Sequence, residues 1–158
     1  MNIQSDNHAA DLKIVSGGQT GVDRAALDVA MELGLDCGGS CPKGRKAEDG
    51  TIPERYPLHE IESEKYRTRT RWNVSDSDAT LILTSHLPLT GGTELTHTLA
   101  LLLEKPVLII DLTNTDIEAA KQWISSYPIK ILNVAGPRAS QQPEIYEKAK
   151  AFLYQFLN

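Results

Sequence analysis

The sequence predicts a three-layer α/β domain with a mainly parallel sheet, and three observations carry that prediction. Short, continuous apolar runs recur along the chain, the clearest being "ATLILT" at 79–84. Between them lie segments whose apolar residues repeat at helical spacing. Strands that are apolar throughout belong to sheets covered on both faces, which parallel strands joined by helices produce.

The elements follow in order. "LKIV" at 12–15 reads as a buried strand, and Val22, Ala25, Ala26, Val29, Ala30 and Leu33 then mark a helix that Gly34 ends. Residues 35–37 form a short second strand. Residues 38–58 show no periodicity and are crowded with Gly and Pro; a loop this long is functional or disordered. A helix is expected over 63–75, the strand over 79–84, and a helix over 93–104 with Leu95, Leu99, Leu102 and Leu103 inward. "PVLIID" at 106–111 is a strand, Ile117, Ala120, Trp123 and Ile124 mark a helix, and "IKILNV" at 129–134 is the last strand. Ile145, Tyr146, Ala149, Phe152, Leu153, Phe156 and Leu157 make a terminal helical stripe. The whole is a single Rossmann-like domain over 12–158 behind a loose tail at 1–11.

Bulk properties narrow the function. With 21 acidic against 16 basic residues and a net charge of −5, a broad nucleic-acid surface is not expected. The start lacks the basic and apolar regions of a signal peptide, and no apolar run approaches the ~18 residues of a membrane helix. Cys37 and Cys41 make neither a disulfide framework nor a structural zinc site, so the expected compartment is the reducing cytoplasm and no metal site is expected.

Open α/β sheets bind ligands at the carboxyl ends of their strands. Three unusual loops leave such ends. In "SGGQTGVDRAALD" at 16–28, Gly17, Gly18 and Gly21 let the backbone approach a ligand, with Gln19 and Thr20 between them. The N–H groups of residues 20–24 would be the free donors of a new helix and would favour an anion. Alternatively the glycines only shape a turn and Thr20 or Asp23 caps the helix. Asp23 suits the helix dipole but repels phosphate, so it caps, or holds a cation or a ligand hydroxyl. Arg24 either supplies charge to the ligand or is solvated. In "TSHLPLTGGTELTH" at 84–97, Gly91, Gly92 and Thr93 open a helix with a second set of backbone donors. Glu94 and His97 share a helix face, for which the plain reading is dipole matching and partial burial. In "NVAGPRASQQP" at 133–143, Arg138 sits near a strand end and Ser140 is placed to cap the last helix. Arg69 and Asn73, spaced i,i+4, are expected to point into the same pocket, and Lys43, Arg45 and Lys46 cluster on the long loop.

Together, "SGGQTGVDRAALD", "CPKGRKAEDGTIPERYPL", "RTRWNVSDSDATLIL", "LTGGTELT" and "LNVAGPR" resemble the molybdenum-cofactor carrier family, the circularly permuted branch of the SLOG superfamily. The resemblance covers about residues 12–157. It implies a Rossmann-like fold, a homo-oligomer (dimer or tetramer), and a pocket for a phosphorylated nucleotide-like or pterin ligand. The molybdenum cofactor, molybdopterin, is then a cargo. Distant members of the superfamily are the lonely-guy phosphoribohydrolases, lysine-decarboxylase-like proteins that cleave nucleoside monophosphates. Their motif is P-G-G-x-G-T-x-x-E. With Gly92-Thr93 aligned to their Gly-Thr, Thr96 falls at the catalytic glutamate position and Glu94 is displaced onto another helix face. The expected function is therefore binding of a small phosphorylated ligand. The alternative is a nucleoside monophosphate N-glycosidase in which Glu94 or Asp23 assists.

Overall fold

The computed structural model describes residues 11–158; the expected tail lies, apart from Asp11, outside the described residues. Five parallel strands form the central sheet in the order β2-β1-β9-β7-β8: β1 (Lys13–Val15), β2 (Asp36–Gly38), β7 (Ala79–Thr84), β8 (Val107–Asp111) and β9 (Ile131–Ala135). Helices α1 (Val22–Glu32), α4 (Ile117–Ser125) and α5 (Ile145–Leu157) pack together on one face. Helices α2 (Tyr66–Asp76) and α3 (Gly91–Leu102) pack on each other over the opposite face. This is the Rossmann-like three-layer arrangement.

The main core lies between the sheet and the α1–α5 layer. Ile14, Leu81, Leu83, Leu132 and Val134 meet Val22, Ala26, Ala149 and Leu153, all nearly fully buried. Alternation along β7 explains why Thr80, Ile82 and Thr84 are buried as well: both faces of a parallel strand are covered.

Three expectations need correction. Helix α2 starts three residues later than expected, behind an extended Lys65, because Ser63 turns back to accept the Lys65 N–H at 3.1 Å. On α3 the buried positions are Thr93, Thr96 and Ala100, which share one face at i, i+3, i+7. Leu95 and Leu99 are only half-buried, while Leu102 is 72% exposed and Leu103 38%. Ser140 does not cap α5, which begins five residues later at Ile145.

The segment 38–58 is ordered rather than disordered. It contains β3 (Ser40–Cys41), β4 (Lys46–Ala47) and β5 (Gly50–Thr51), and β3 pairs with β6 (His59–Glu60). Its own small core holds Cys41, Ala47, Ile52 and Tyr56 against Leu27 of α1. Arg45 staples it by donating to the carbonyls of Ile52, Pro53 and Tyr56 at 3.0, 2.7 and 2.9 Å. Both cysteines are free. No helix among the described residues is long and apolar enough to cross a membrane.

Candidate functional site

β1 and β7 send their following helices toward opposite edges of the sheet, and β9 lies between them. Such a reversal opens a crevice at the strand carboxyl ends. A cavity of ≈190 Å³ occupies it. Its wall takes Gly17, Gln19 and Asp23 from the β1–α1 turn, Gly92, Thr93 and Thr96 from α3, Arg69 and Asn73 from α2, and Arg138 from the turn after β9.

The first turn is closed more tightly than its composition suggests. Gly21 caps α1 at φ 82°, and a Cβ there would lie 2.4 Å from the Pro137 carbonyl oxygen. That carbonyl accepts the Val22 N–H at 3.3 Å. The Thr20 N–H goes to Gln19 Oε1 at 3.1 Å and the Arg24 N–H to the Gln19 carbonyl at 3.2 Å. Three of the five backbone donors expected to face an anion are thus engaged within the protein. No side chain caps α1; the Asp23 carboxylate instead takes the Gln19 N–H at 3.3 Å.

Asp23 and Arg69 form a buried pair at the base of the cavity, Nη1 to Oδ2 at 3.7 Å. Arg69 spends the same nitrogen on the Gly17 carbonyl at 2.7 Å. Burial pushes the Asp23 carboxyl up to about 6, against the opposing pull of Arg69 and of the Gln19 and Gly17 backbone. Asn73 is locked to β3 by two reciprocal bonds, accepting the Ser40 N–H at 2.7 Å and donating to the Ser40 carbonyl at 2.9 Å.

The second turn is open. Glu94 N–H bonds the Thr90 carbonyl at 3.2 Å, whereas the N–H groups of Gly92 and Thr93 bond no group among the described residues. Thr96 directs its hydroxyl to the Gly92 carbonyl at 2.8 Å and stands on the cavity wall. Glu94 is exposed and does not line the cavity.

Of the other predicted residues, Gly18, Thr20, Gly21, Arg24, Lys43 and Gly91 also lie off the wall. Arg24 clamps the long loop through Asp49, with Nη2 to Oδ1 at 2.7 Å, and donates Nε to the Gly18 carbonyl at 3.0 Å. Thr20 donates to Glu48, which also takes the Ser140 N–H at 3.1 Å and hydroxyl at 2.5 Å and faces Arg138 Nε at 3.5 Å. Desolvation raises the Glu48 carboxyl, but the Ser140 and Thr20 hydrogen bonds outweigh it and hold it below its ordinary value. Glu48 is therefore a hub that ties the long loop to the first and third turns.

Sequence reasoning missed Tyr66, Arg67, Thr70, Leu95, Asn133 and Gln141 on the wall. The i,i+3/i+4 spacing of Tyr66 and Thr70 with Arg69 and Asn73 was a usable signal for the α2 members. Nothing local pointed to Gln141. The Tyr66 ring lies under two cations, Lys46 Nζ at 5.1 Å and the Arg69 guanidinium at 5.6 Å.

Comparisons with known proteins agree with this architecture. The model of the circularly permutated YpsA SLOG family matches residues 14–157, and the chain belongs to that family. A crystal structure at 1.45 Å of a "Putative molybdenum carrier protein" from Syntrophus aciditrophicus SB is 49% identical, with a TM-score of 0.89, covering 94% of this chain and 96% of that one. A search of curated proteins finds no match.

Proposed function

We propose that the chain binds a small phosphorylated ligand in this cavity, either the molybdenum cofactor as cargo or a nucleotide. One observation carries the reading: the free N–H groups of Gly92 and Thr93 open onto a cavity whose wall also holds Arg67, Arg69 and Arg138. A helix N-terminus with backbone donors and nearby guanidinium groups suits a phosphate. The name of the similar Syntrophus protein supports the cofactor as cargo.

The phosphate role thus rests on the α3 turn rather than on the turn after β1, where Asp23 sits and donors are already spent. The same geometry favours binding over glycosidic cleavage. Thr96, not a carboxylate, stands where the superfamily's enzymes carry their glutamate, and Glu94 lies off the wall. The carboxylate that does line it, Asp23, is on the β1–α1 side, bonded to the Gln19 N–H and paired with Arg69. Glycosidic cleavage needs an acid or carboxylate beside the leaving bond.

We also propose that the protein is a homo-oligomer. Leu101, Leu102 and Leu103 are 58%, 72% and 38% exposed on consecutive residues at the end of α3, an apolar ridge that suits burial against another copy.

The test is the melting midpoint of the purified protein titrated with nucleoside monophosphates and with molybdenum cofactor, inorganic phosphate being the control. A ligand of the native state raises the midpoint with concentration. No shift with any organic phosphate sinks the reading.

A further inference from the structure

Two side chains on the cavity wall, Gln19 before α1 and Asp23 in its first turn, have hydrogen-bonding capacity that no group among the described residues uses. Gln19 and Asp23 are 8% and 7% exposed, and both line the wall. Gln19 Oε1 accepts the backbone N–H of Thr20 at 3.1 Å and of Glu48 at 2.9 Å. A backbone N–H only donates, so these two bonds fix which way the amide faces. Nε2 must point away from them, and it donates to no group among the described residues.

Asp23 is the complementary case. Its Oδ2 has a long bond to the Gln19 N–H, 3.3 Å, and a loose ion pair to Arg69 at 3.7 Å. A carboxylate accepts about four hydrogen bonds. Oδ1 accepts none. Neither Oδ1 nor Gln19 Nε2 is sealed off as a buried orphan; among the described residues that is true only of Ser85 Oγ. Both atoms keep accessible surface, and both residues line the cavity.

We propose that Gln19 and Asp23 read one edge of a heterocycle: Gln19 Nε2 donates to a ring carbonyl, and Asp23 accepts the adjacent ring N–H and exocyclic amino group. That carbonyl, N–H, amino sequence is shared by guanine and by the pterin ring. Adenine offers Asp23 one amino donor and no neighbouring N–H, so half of the carboxylate stays unpaired. A site built around such a pair rejects a ligand that leaves a buried polar group unsatisfied. Leu95, Val134 and the Tyr66 ring supply apolar and aromatic wall for a flat ring.

This inference rests on the phosphorylated-ligand reading and is tested separately from it. Isothermal titration of the full chain would compare GMP, IMP, AMP, a 6-substituted pterin monophosphate and inorganic phosphate. The expected ranking puts GMP or the pterin phosphate at least about tenfold tighter than AMP, with IMP, which lacks the amino group, weaker than GMP. Asp23→Asn is expected to cut that advantage to less than about threefold while AMP affinity moves little. Gln19→Glu keeps the two acceptor bonds and removes the donor, and is expected to cost GMP and the pterin phosphate alike. If either variant fails to fold, the ranking on the unaltered protein still decides. Strong pterin binding with silent GMP supports the edge reading and names its source. AMP binding as tightly as both overturns the edge reading and leaves phosphate binding standing. Organic phosphates that bind no better than inorganic phosphate overturn both.

Discussion

Arg69 Nη1 donates to the Gly17 carbonyl oxygen at 2.7 Å, and a Cβ on Gly17 would lie 2.0 Å from that same nitrogen. The glycine exists because a buried guanidinium lies against its backbone. Gly17→Ala must push Arg69 off both the carbonyl and Asp23. Breaking a buried pair by displacing one partner costs about 3–5 kcal/mol. Arg69→Ala removes the same interactions, so the double variant is expected to be clearly less destabilised than the sum of the two. Urea unfolding of the four proteins checks this, and simple additivity would count against it.

Asp23 gives the protein a defined pH response. Its carboxyl is at about 6 in the folded chain against 3.8 for the ordinary group. Between those values the folded state binds more protons than the unfolded state, so stability falls as pH rises through the window. The penalty is complete above pH ~6, where it amounts to about 3 kcal/mol, and is relieved on acidification toward ~4. Asp23→Asn is expected to flatten this slope. Chemical unfolding across that range, in the protein and the variant, measures it. Equal slopes would place the proton elsewhere.

Glu48 should control the mobility of the long loop. It receives Thr20, Ser140 and Arg138, and its own N–H donates to Gln19. Glu48→Ala is expected to cost about 1–2 kcal/mol and to speed hydrogen exchange at residues 44–52 and 138–142 together. Exchange unchanged in both segments would show that the hub is not what ties them.

Gly92 and Gly18 separate binding from folding. A Cβ on Gly92 meets nothing within 4 Å, and Gly92 faces the cavity. Gly92→Val should therefore fold and lose ligand affinity by about tenfold or more. Gly18 has φ +76°, and a Cβ there would lie 2.3 Å from Leu58. Gly18→Val is expected to lower the melting midpoint instead. Ligand affinity undiminished in a folded Gly92→Val protein would remove the α3 turn from the site.

The leucine ridge on α3 predicts self-association. Leu102→Glu places a charge at a residue that is 72% exposed in one chain, so it should not affect the fold. Sedimentation is expected to show a smaller species for the variant than for the unaltered protein. Identical sedimentation would remove this ridge from any interface.

The sequence by itself determined the strands of the central sheet, its helices and the end of the sheet where the site lies, but not the short strands β3–β6. Six consecutive apolar or threonine residues at 79–84 can only be a strand covered on both faces, and the α5 stripe leaves no other reading. Glycine-rich turns after β1 and before α3 marked the carboxyl edge, because backbone conformation is encoded locally. What only the tertiary structure decided is which of those glycines faces a ligand. Gly21 closes on Pro137, and Gly18 lies against Leu58, partners far from them in the chain. The inward face of α3 was legible only at its start, where Thr93 was expected at the ligand: leucines outrank threonines in hydropathy, but Thr96 and Ala100 share the buried face with Thr93 because α3 packs on α2. Likewise Arg24 and Thr20 look available in sequence and are spent on Asp49 and Glu48 in the fold. Local patterns encode where the backbone can turn; the partners that use up or leave free each hydrogen-bonding group come from distant parts of the chain, and only their packing decides which groups remain for a ligand.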